Sequence, residues 1–209
     1  MNVKAAKQYK TLYFVMLALF TAFAAAATAL IRIPYGIGYI NFGDAVVMIA
    51  SVILGPVGGA VVGGLGPAAA DLATGYIVYA PFTAAVKAAE GILCGLICFR
   101  SQSDRASALR CLAAFAVSAV WVTVGYALTD FALVLGGAAG FSDYGFKAAV
   151  YAGALTMPAT LLQTGVSAAV ALIVAPRLPA LKRDKLFEDN ADCAAESDED
   201  CAEKERKEK

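Results

Sequence analysis

The chain has 209 residues, of which 60% are hydrophobic and 16% are charged, and its 17 basic and 17 acidic residues give a formal net charge of zero. Soluble domains usually carry about 25% Asp, Glu, Lys and Arg, so this composition argues against a soluble globular protein. The absence of histidine excludes most general-base, haem and His-metal chemistry. The zero net charge hides a division: residues 189–209 hold nine acidic and four basic residues, which leaves 13 basic and 8 acidic residues for 1–188.

Six apolar segments follow one another along the chain, at 11–31, 45–54, 57–72, 80–99, 106–129 and 148–175. Several reach the roughly 20 residues that a helix needs to cross a bilayer core. We therefore expect an all-α membrane domain over residues 1–176, a bundle of six transmembrane helices. The second segment would span only about 15 Å as a helix, so it either begins earlier, near Ile40, or forms a re-entrant hairpin with the third.

The first segment follows three lysines and resembles a signal peptide, with a possible cleavage site near Thr28. Its apolar run of about 20 residues exceeds the usual length of a signal core, so we expect an uncleaved first helix.

Basic residues predict the orientation of the bundle. Ten of them fall on one side of a six-helix count: Lys4, Lys7, Lys10, Arg100, Arg105, Arg110, Arg177, Lys182, Arg183 and Lys185. The positive-inside rule then places both termini in the cytoplasm of a plasma-membrane protein, with the loops at 32–44, 73–80 and 136–147 facing outward. Residues 177–209 are predicted to be a charged, disordered cytoplasmic tail.

Neither the cysteines nor the glycine-rich run at 64–69 predicts a metal site or a nucleotide-binding site. The five cysteines supply no set of four convergent metal ligands, so we expect reduced thiols and no metal. Residues 64–69 match G-x-G-x-x-A, but they lie late in an apolar segment rather than after a strand, and no P-loop motif occurs. We predict no cofactor, no nucleic-acid partner and no ATP hydrolysis by the chain itself.

Small residues form stripes on two segments. Ala18, Ala22 and Ala26 recur every four residues on the first, and glycines recur at 55, 59 and 63 on the third. Such stripes allow helices to approach closely in lipid. The glycines are expected to pack within the bundle, whereas the alanines pack within it or against another subunit.

Lys87 and Glu90 are the clearest ionisable pair inside an apolar segment. Their i, i+3 spacing places them on one helix face, about 10 to 15 Å deep. Ionisable groups at that depth usually face a bundle interior or a polar cavity. Two interpretations stay open, a structural ion pair and a ligand contact, and Gln163 is a candidate member of either.

Other candidate binding residues gather toward the predicted outer side: Asn41, Asp44, Asp71, Tyr76 and Tyr79, with Trp121 deeper. Tyrosines at a membrane boundary often form only an interface belt. Asn41 and the two carboxylates beside glycine-rich loops indicate instead the mouth of a site that is entered from outside.

Five short runs resemble the substrate-binding S components of energy-coupling-factor (ECF) vitamin transporters, in the group for riboflavin, hydroxymethylpyrimidine or pyridoxine. They are NFGDA at 41–45, LGPVGG at 54–59, ADLATGY at 70–76, YAP at 79–81 and VKAAEG at 86–91. The resemblance is strongest over residues 10–100.

The resemblance implies a six-helix protein, without enzymatic activity, that binds one vitamin-like small molecule near its outer face. It also implies docking through the small-residue face of the first helix onto a transmembrane coupling subunit, which two cytoplasmic ATPases drive. The alternatives are a self-contained secondary carrier or channel and a membrane-embedded enzyme, but no nucleophile or metal constellation supports an enzyme and no convincing inverted repeat supports a carrier.

Overall fold

A computed structural model describes residues 3–35, 38–99, 107–137 and 145–174. Its elements are α1 (Val3–Leu30), β1 (Ile33–Tyr35), β2 (Gly38–Ile40), α2 (Gly43–Thr74), α3 (Ala80–Phe99), α4 (Ser107–Leu135) and α5 (Gly145–Val174). Within these residues, five helices are long and apolar enough to cross a membrane. The prediction of a helical membrane protein is therefore confirmed, whereas the structure has five such helices in place of the six predicted segments.

By its internal contacts the chain divides into two units, Leu17–Ala180 and Met1–Met16 with Leu181–Lys209. The helix bundle and the cavity described below belong to the first. Of the second, the structure describes the first turns of α1. The predicted tail at 177–209 lies outside the described residues.

The second and third predicted segments form one helix, α2, that is broken at Gly55. Gly55 has φ 75° and ψ −175°, a combination that essentially only glycine adopts. A Cβ atom on Gly59 would lie 2.2 Å from Ser51 Oγ, and one on Gly63 would lie 3.1 Å from Val47 Cγ1. In each pair, the two residues lie equally far from Gly55 along the sequence. In a continuous helix, residues 47 and 63 would be about 24 Å apart.

The two halves of α2, residues 43–54 and 56–74, therefore fold back along each other as a helical hairpin. Helix α2 begins at Gly43 rather than near Ile40, and its two halves are antiparallel, as a hairpin of the second and third predicted segments requires. The first half is only about 18 Å long, shorter than the roughly 30 Å hydrocarbon core. Its amino-terminal end is thus suited to lie within the thickness of the membrane.

The glycine stripe of α2 packs against α3, as predicted. A Cβ atom on Gly91 would lie 2.2 Å from the carbonyl oxygen of Gly59, and one on Gly95 would lie 2.5 Å from Pro56. Farther along, a Cβ atom on Gly63 would lie 2.2 Å from the carbonyl oxygen of Lys87. Because glycine lets the backbones approach this closely, α3 brings Lys87 against the first half of α2.

Helix α1 packs against α2 through a face other than the alanine stripe. A Cβ atom on Gly66 would lie 2.8 Å from Ala24 Cβ and 2.9 Å from the carbonyl oxygen of Thr21. Ala18 and Ala22 are exposed and Ala26 is half-buried. Of the 18 residues in the most apolar stretch of α1, only 11% are buried, whereas 33% or more are buried in the corresponding stretches of the other four helices.

The loop predicted at 32–44 contains an antiparallel two-stranded hairpin in which Ile33 pairs with Ile40 and Tyr35 with Gly38. At the same end of the bundle, α2 is followed by Gly75, which has φ 89°. The N–H of Tyr76 donates to the Asp71 carbonyl at 2.9 Å. This left-handed glycine ends the helix and leads into Tyr76 and Tyr79. The end of the bundle that holds β1 and β2 is called the hairpin end below.

Candidate functional site

A cavity lies at the hairpin end, where β1 and β2 meet the ends of the helices. The space among its lining side chains, including the part open to solvent, is about 570 Å³. Five tyrosines, four threonines, two aspartates and two amides dominate the lining. The lining residues are Thr28, Tyr35, Gly38, Tyr39, Ile40, Asn41, Asp71, Tyr76, Tyr79, Thr83, Tyr126, Asp130, Thr156, Ala159, Thr160 and Gln163.

Two tyrosine–aspartate pairs hold the wall of the cavity. Tyr39 on β2 donates its hydroxyl hydrogen to Asp71 Oδ1 near the end of α2. Tyr79 donates to Asp130 Oδ1 on α4 at 2.7 Å, and Thr156 on α5 donates to the other oxygen of Asp130. These bonds connect the β1–β2 hairpin, three helices and the turn before α3 around one space.

The tyrosine rings also contact one another. The ring centroids of Tyr39 and Tyr76 are 4.7 Å apart, and those of Tyr76 and Tyr79 are 6.2 Å apart in an edge-to-face arrangement. Burial and the neighbouring Asp71 carboxylate raise the pKa of Tyr39 above its ordinary value. The phenol therefore stays protonated, as its donation to Asp71 requires.

A buried ion cluster, formed by Asp44, Lys87 and Glu90, lies beside the cavity. Lys87 Nζ donates to Asp44 Oδ1 and, at 2.9 Å, to Glu90 Oε2, and all three side chains are fully buried. The ammonium is also 5.6 Å from the centroid of the Tyr126 ring, whose residue lines the cavity. The cluster thus has one cation between two carboxylates.

Gln163 connects the ion cluster to the chain that follows the hairpin. Its Nε2 donates to Asp44 Oδ2 at 2.9 Å, and its Oε1 accepts the backbone N–H of Asn41 at 2.8 Å. Asn41 Oδ1 accepts the backbone N–H of Gly43 at 2.9 Å, at the start of α2. A short relay of hydrogen bonds therefore runs from the buried cluster to the cavity wall.

The structure places the predicted site residues in three locations. Asn41, Asp71, Tyr76, Tyr79 and Gln163 line the cavity. Asp44, Lys87 and Glu90 are brought together in the ion cluster and are not among the lining residues. Trp121 lies apart, with its side chain 40% exposed on α4 and its Nε1 donating to the Val86 carbonyl at 2.9 Å.

Eight polar or aromatic lining residues were not among the predicted site residues: Thr28, Tyr35, Tyr39, Thr83, Tyr126, Asp130, Thr156 and Thr160. A sequence signal existed for the α5 residues. Thr156, Thr160 and Gln163 follow an i, i+4, i+7 pattern, which places one polar stripe on an otherwise apolar helix. For Asp130, a carboxylate near the end of an apolar segment was the available signal.

The fold and the cavity define a multi-pass helical membrane protein with an aromatic, polar cavity at one end. A profile of the family described as "ECF-type riboflavin transporter, S component" matches residues 8–180. The chain belongs to this family, whose members are substrate-binding subunits of membrane vitamin transporters rather than enzymes. The resemblance seen in the sequence is thereby confirmed at the level of the S component.

A shorter match is to a curated protein of Pyrococcus woesei, described as an "Uncharacterized protein in gap 3'region". It is 44% identical over 70 residues, which are 32% of this chain and 47% of the relative. The match thus spans about half the length of that relative.

Proposed function

We propose that this protein captures a small water-soluble vitamin, or a heteroaromatic precursor of one, from outside the cell for an ATP-driven ECF importer. The observation that carries the proposal is the cavity at the hairpin end, enclosed by five tyrosines and two buried aspartates. The tyrosine rings suit a planar aromatic ligand, because aromatic pairs favour stacked or edge-to-face contact, and the hydroxyl groups of Tyr39 and Tyr79 already donate to Asp71 and Asp130. Membership of the S-component family supports partners from an ECF module, and we infer that these are a transmembrane coupling subunit and two cytoplasmic ATPases.

The proposed site consists of the predicted residues that line the cavity. Asn41, Asp71, Tyr76, Tyr79 and Gln163 contact the ligand directly in this proposal. Asp44, Lys87 and Glu90 act through their neighbours, since Gln163 and the Tyr126 ring separate them from the cavity. Trp121 has no contact with the ligand in this arrangement.

Uptake by cells that lack their own vitamin importers tests the proposed function. Riboflavin, hydroxymethylpyrimidine and pyridoxine are supplied in labelled form to cells that express this chain alone or with the coupling subunit and both ATPases. We expect accumulation of one of them only with the complete set, and its loss when the ATPases are inactivated by substitution of the P-loop lysine. Accumulation by this chain alone would indicate a secondary carrier instead.

The orientation proposed for the bundle has six spans, the two halves of α2 being the second and third, with both termini in the cytoplasm. The hairpin end then faces outward. The support is the distribution of basic residues, of which Arg110 belongs to the end of α4 opposite the cavity.

Cysteine labelling in intact cells tests this orientation. Single cysteines are placed at Ser142 and Ser103, which both lie outside the described residues, in a variant whose five native cysteines are serine. A membrane-impermeant maleimide is expected to label position 142 and to reach position 103 only after the cells are opened. Labelling of 103 but not 142 in intact cells would reverse the model of orientation.

A further inference from the structure

The buried charges of the bundle do not balance. Among the residues that the structure describes, four carboxylates are buried, those of Asp44, Asp71, Glu90 and Asp130, and the buried cation is Lys87. Lys87 is held by Asp44 and Glu90, so it does not pair with either aspartate of the cavity. Uncompensated negative charge inside a membrane protein is costly. The cavity therefore favours an occupant that brings positive charge or hydrogen-bond donors.

The two cavity aspartates differ in how many of their carboxylate oxygens accept a hydrogen bond. Both oxygens of Asp130 accept hydrogen bonds, one from Tyr79 and one from Thr156. Asp71 Oδ1 accepts one from Tyr39 and the Thr83 hydroxyl is a second neighbour of this carboxylate, while Oδ2 is buried and makes no hydrogen bond of its own among the described residues. A buried acceptor left unpaired is costly, above all when it is charged, so this oxygen, called the vacant oxygen below, favours a hydrogen-bond donor from an occupant of the cavity.

The surroundings of this oxygen restrict what fills it. Asp71, which is only 2% exposed, and the rings of Tyr39, Tyr76 and Tyr79 line the same cavity. Among the described residues, the lining contains no lysine or arginine. Arg32, at the base of β1, is exposed, and its Nε donates to the carbonyl of Ala29. An anionic substituent would thus meet two carboxylates and no basic side chain of the lining.

We propose that the ligand presents an N–H donor edge, an amino group or a protonated ring nitrogen, to Asp71 Oδ2. The same carboxylates exclude phosphate esters and carboxylic acids of the same ring. Asp71 is then the residue that sets specificity between a vitamin and its phosphorylated form. This inference rests on the function proposed above and adds the charge and the donor pattern of the substrate.

Matched pairs of compounds test the inference on the unaltered protein. Hydroxymethylpyrimidine, pyridoxamine and riboflavin are each compared with their phosphate esters by calorimetric titration of the purified protein in nanodiscs. We expect the best ligand to be a compound with an amino group or basic ring nitrogen, bound about 100-fold or more tightly than its ester, since like charges in contact cost several kcal/mol. An ester that binds as tightly as its parent would overturn the inference and leave the transport function standing. Failure of every parent and ester to bind would overturn both.

The variant Asp71→Asn tests the role of the vacant oxygen. Loss of a hydrogen bond to a charged acceptor should weaken the best ligand about 10- to 100-fold, and the discrimination against its phosphate ester should fall by about tenfold or more. The matched control is Ser167→Ala, which removes another buried, unpartnered oxygen that does not line the cavity and should change the affinity less than twofold. Unchanged affinity and discrimination in a folded Asp71→Asn protein would contradict the proposal. If that variant does not fold, the comparison of parent and ester on the unaltered protein decides.

Discussion

Replacement of Lys87 by Met is expected to be the most destabilising single change in the ion cluster. Lys87 is the cation between Asp44 and Glu90, and all three side chains are fully buried. Its loss leaves two carboxylates without a counter-charge, and breaking a buried ion pair costs about 3–5 kcal/mol. The measurement is thermal unfolding of the purified variant in detergent.

The companion variants distinguish pairing from simple packing. Glu90→Gln leaves a neutral Lys87–Asp44 pair and should cost far less than Lys87→Met, because Glu90 also has one oxygen, Oε1, without a partner among the described residues. The triple variant with Lys87→Met, Asp44→Asn and Glu90→Gln should recover most of the loss. Lys147→Met, which removes an exposed lysine of α5, is the matched control. A Lys87→Met protein as stable as this control would mean that the cluster is not a charged pair.

Ligand affinity of the same variants separates the two interpretations of Lys87 and Glu90 that the sequence left open. Among the described residues, Lys87 and Glu90 connect to the cavity through Asp44, which accepts from Gln163, and through the Tyr126 ring beside Lys87. A folded triple variant should therefore bind ligand within about tenfold of the unaltered protein, the cost of losing one hydrogen bond that orients Gln163. Complete loss of binding in that variant would instead place the pair in direct contact with the ligand.

The sequence predicted the helical class and the packing of the glycine stripe because both depend on local patterns. Glycines at 55, 59 and 63 repeat at the helical period, and the structure places the backbones of Gly59 and Gly91 in contact. The break at Gly55 was visible only as a Gly-Pro step. Whether the chain bends there or reverses depends on contacts between residues such as Val47 and Gly63, which no local pattern contains.

For the site too, the sequence predicted the contact between neighbours in the chain but not the contact with a distant residue. The i, i+3 spacing placed Lys87 and Glu90 on one face, and their contact is observed at 2.9 Å. The second partner, Asp44, is 43 positions away in the sequence and was assigned to the outer mouth. The short length of the first half of α2 was indicated by the sequence, whereas the partners that bury Asp44 come from α3 and α5 and are distant in the sequence.

The alanine stripe of α1 remains a predicted docking surface, and its placement supports that prediction. Thr21 and Ala24 face α2, whereas Ala18 and Ala22 are exposed on a helix whose apolar residues are mostly unburied. Lipid alone would accept large apolar residues at these positions. Small residues on an exposed face are instead typical of a surface that another helix approaches closely.

Replacing Ala18 and Ala22 together by Leu is expected to abolish vitamin uptake, because added bulk separates helices that pack through small residues. Ligand affinity should stay within about twofold, because the two side chains lie away from the cavity lining. The same should hold for Ala22→Leu with Ala26→Leu, although half-buried Ala26 adds some internal strain. The matched control is Ala113→Leu with Ala116→Leu, two exposed alanines of α4, which should leave both uptake and binding unchanged. Uptake by cells with the complete importer and co-purification of the coupling subunit are measured side by side. Normal uptake by a well-expressed Ala18→Leu, Ala22→Leu protein would show that this face of α1 contacts lipid and that the coupling subunit docks elsewhere.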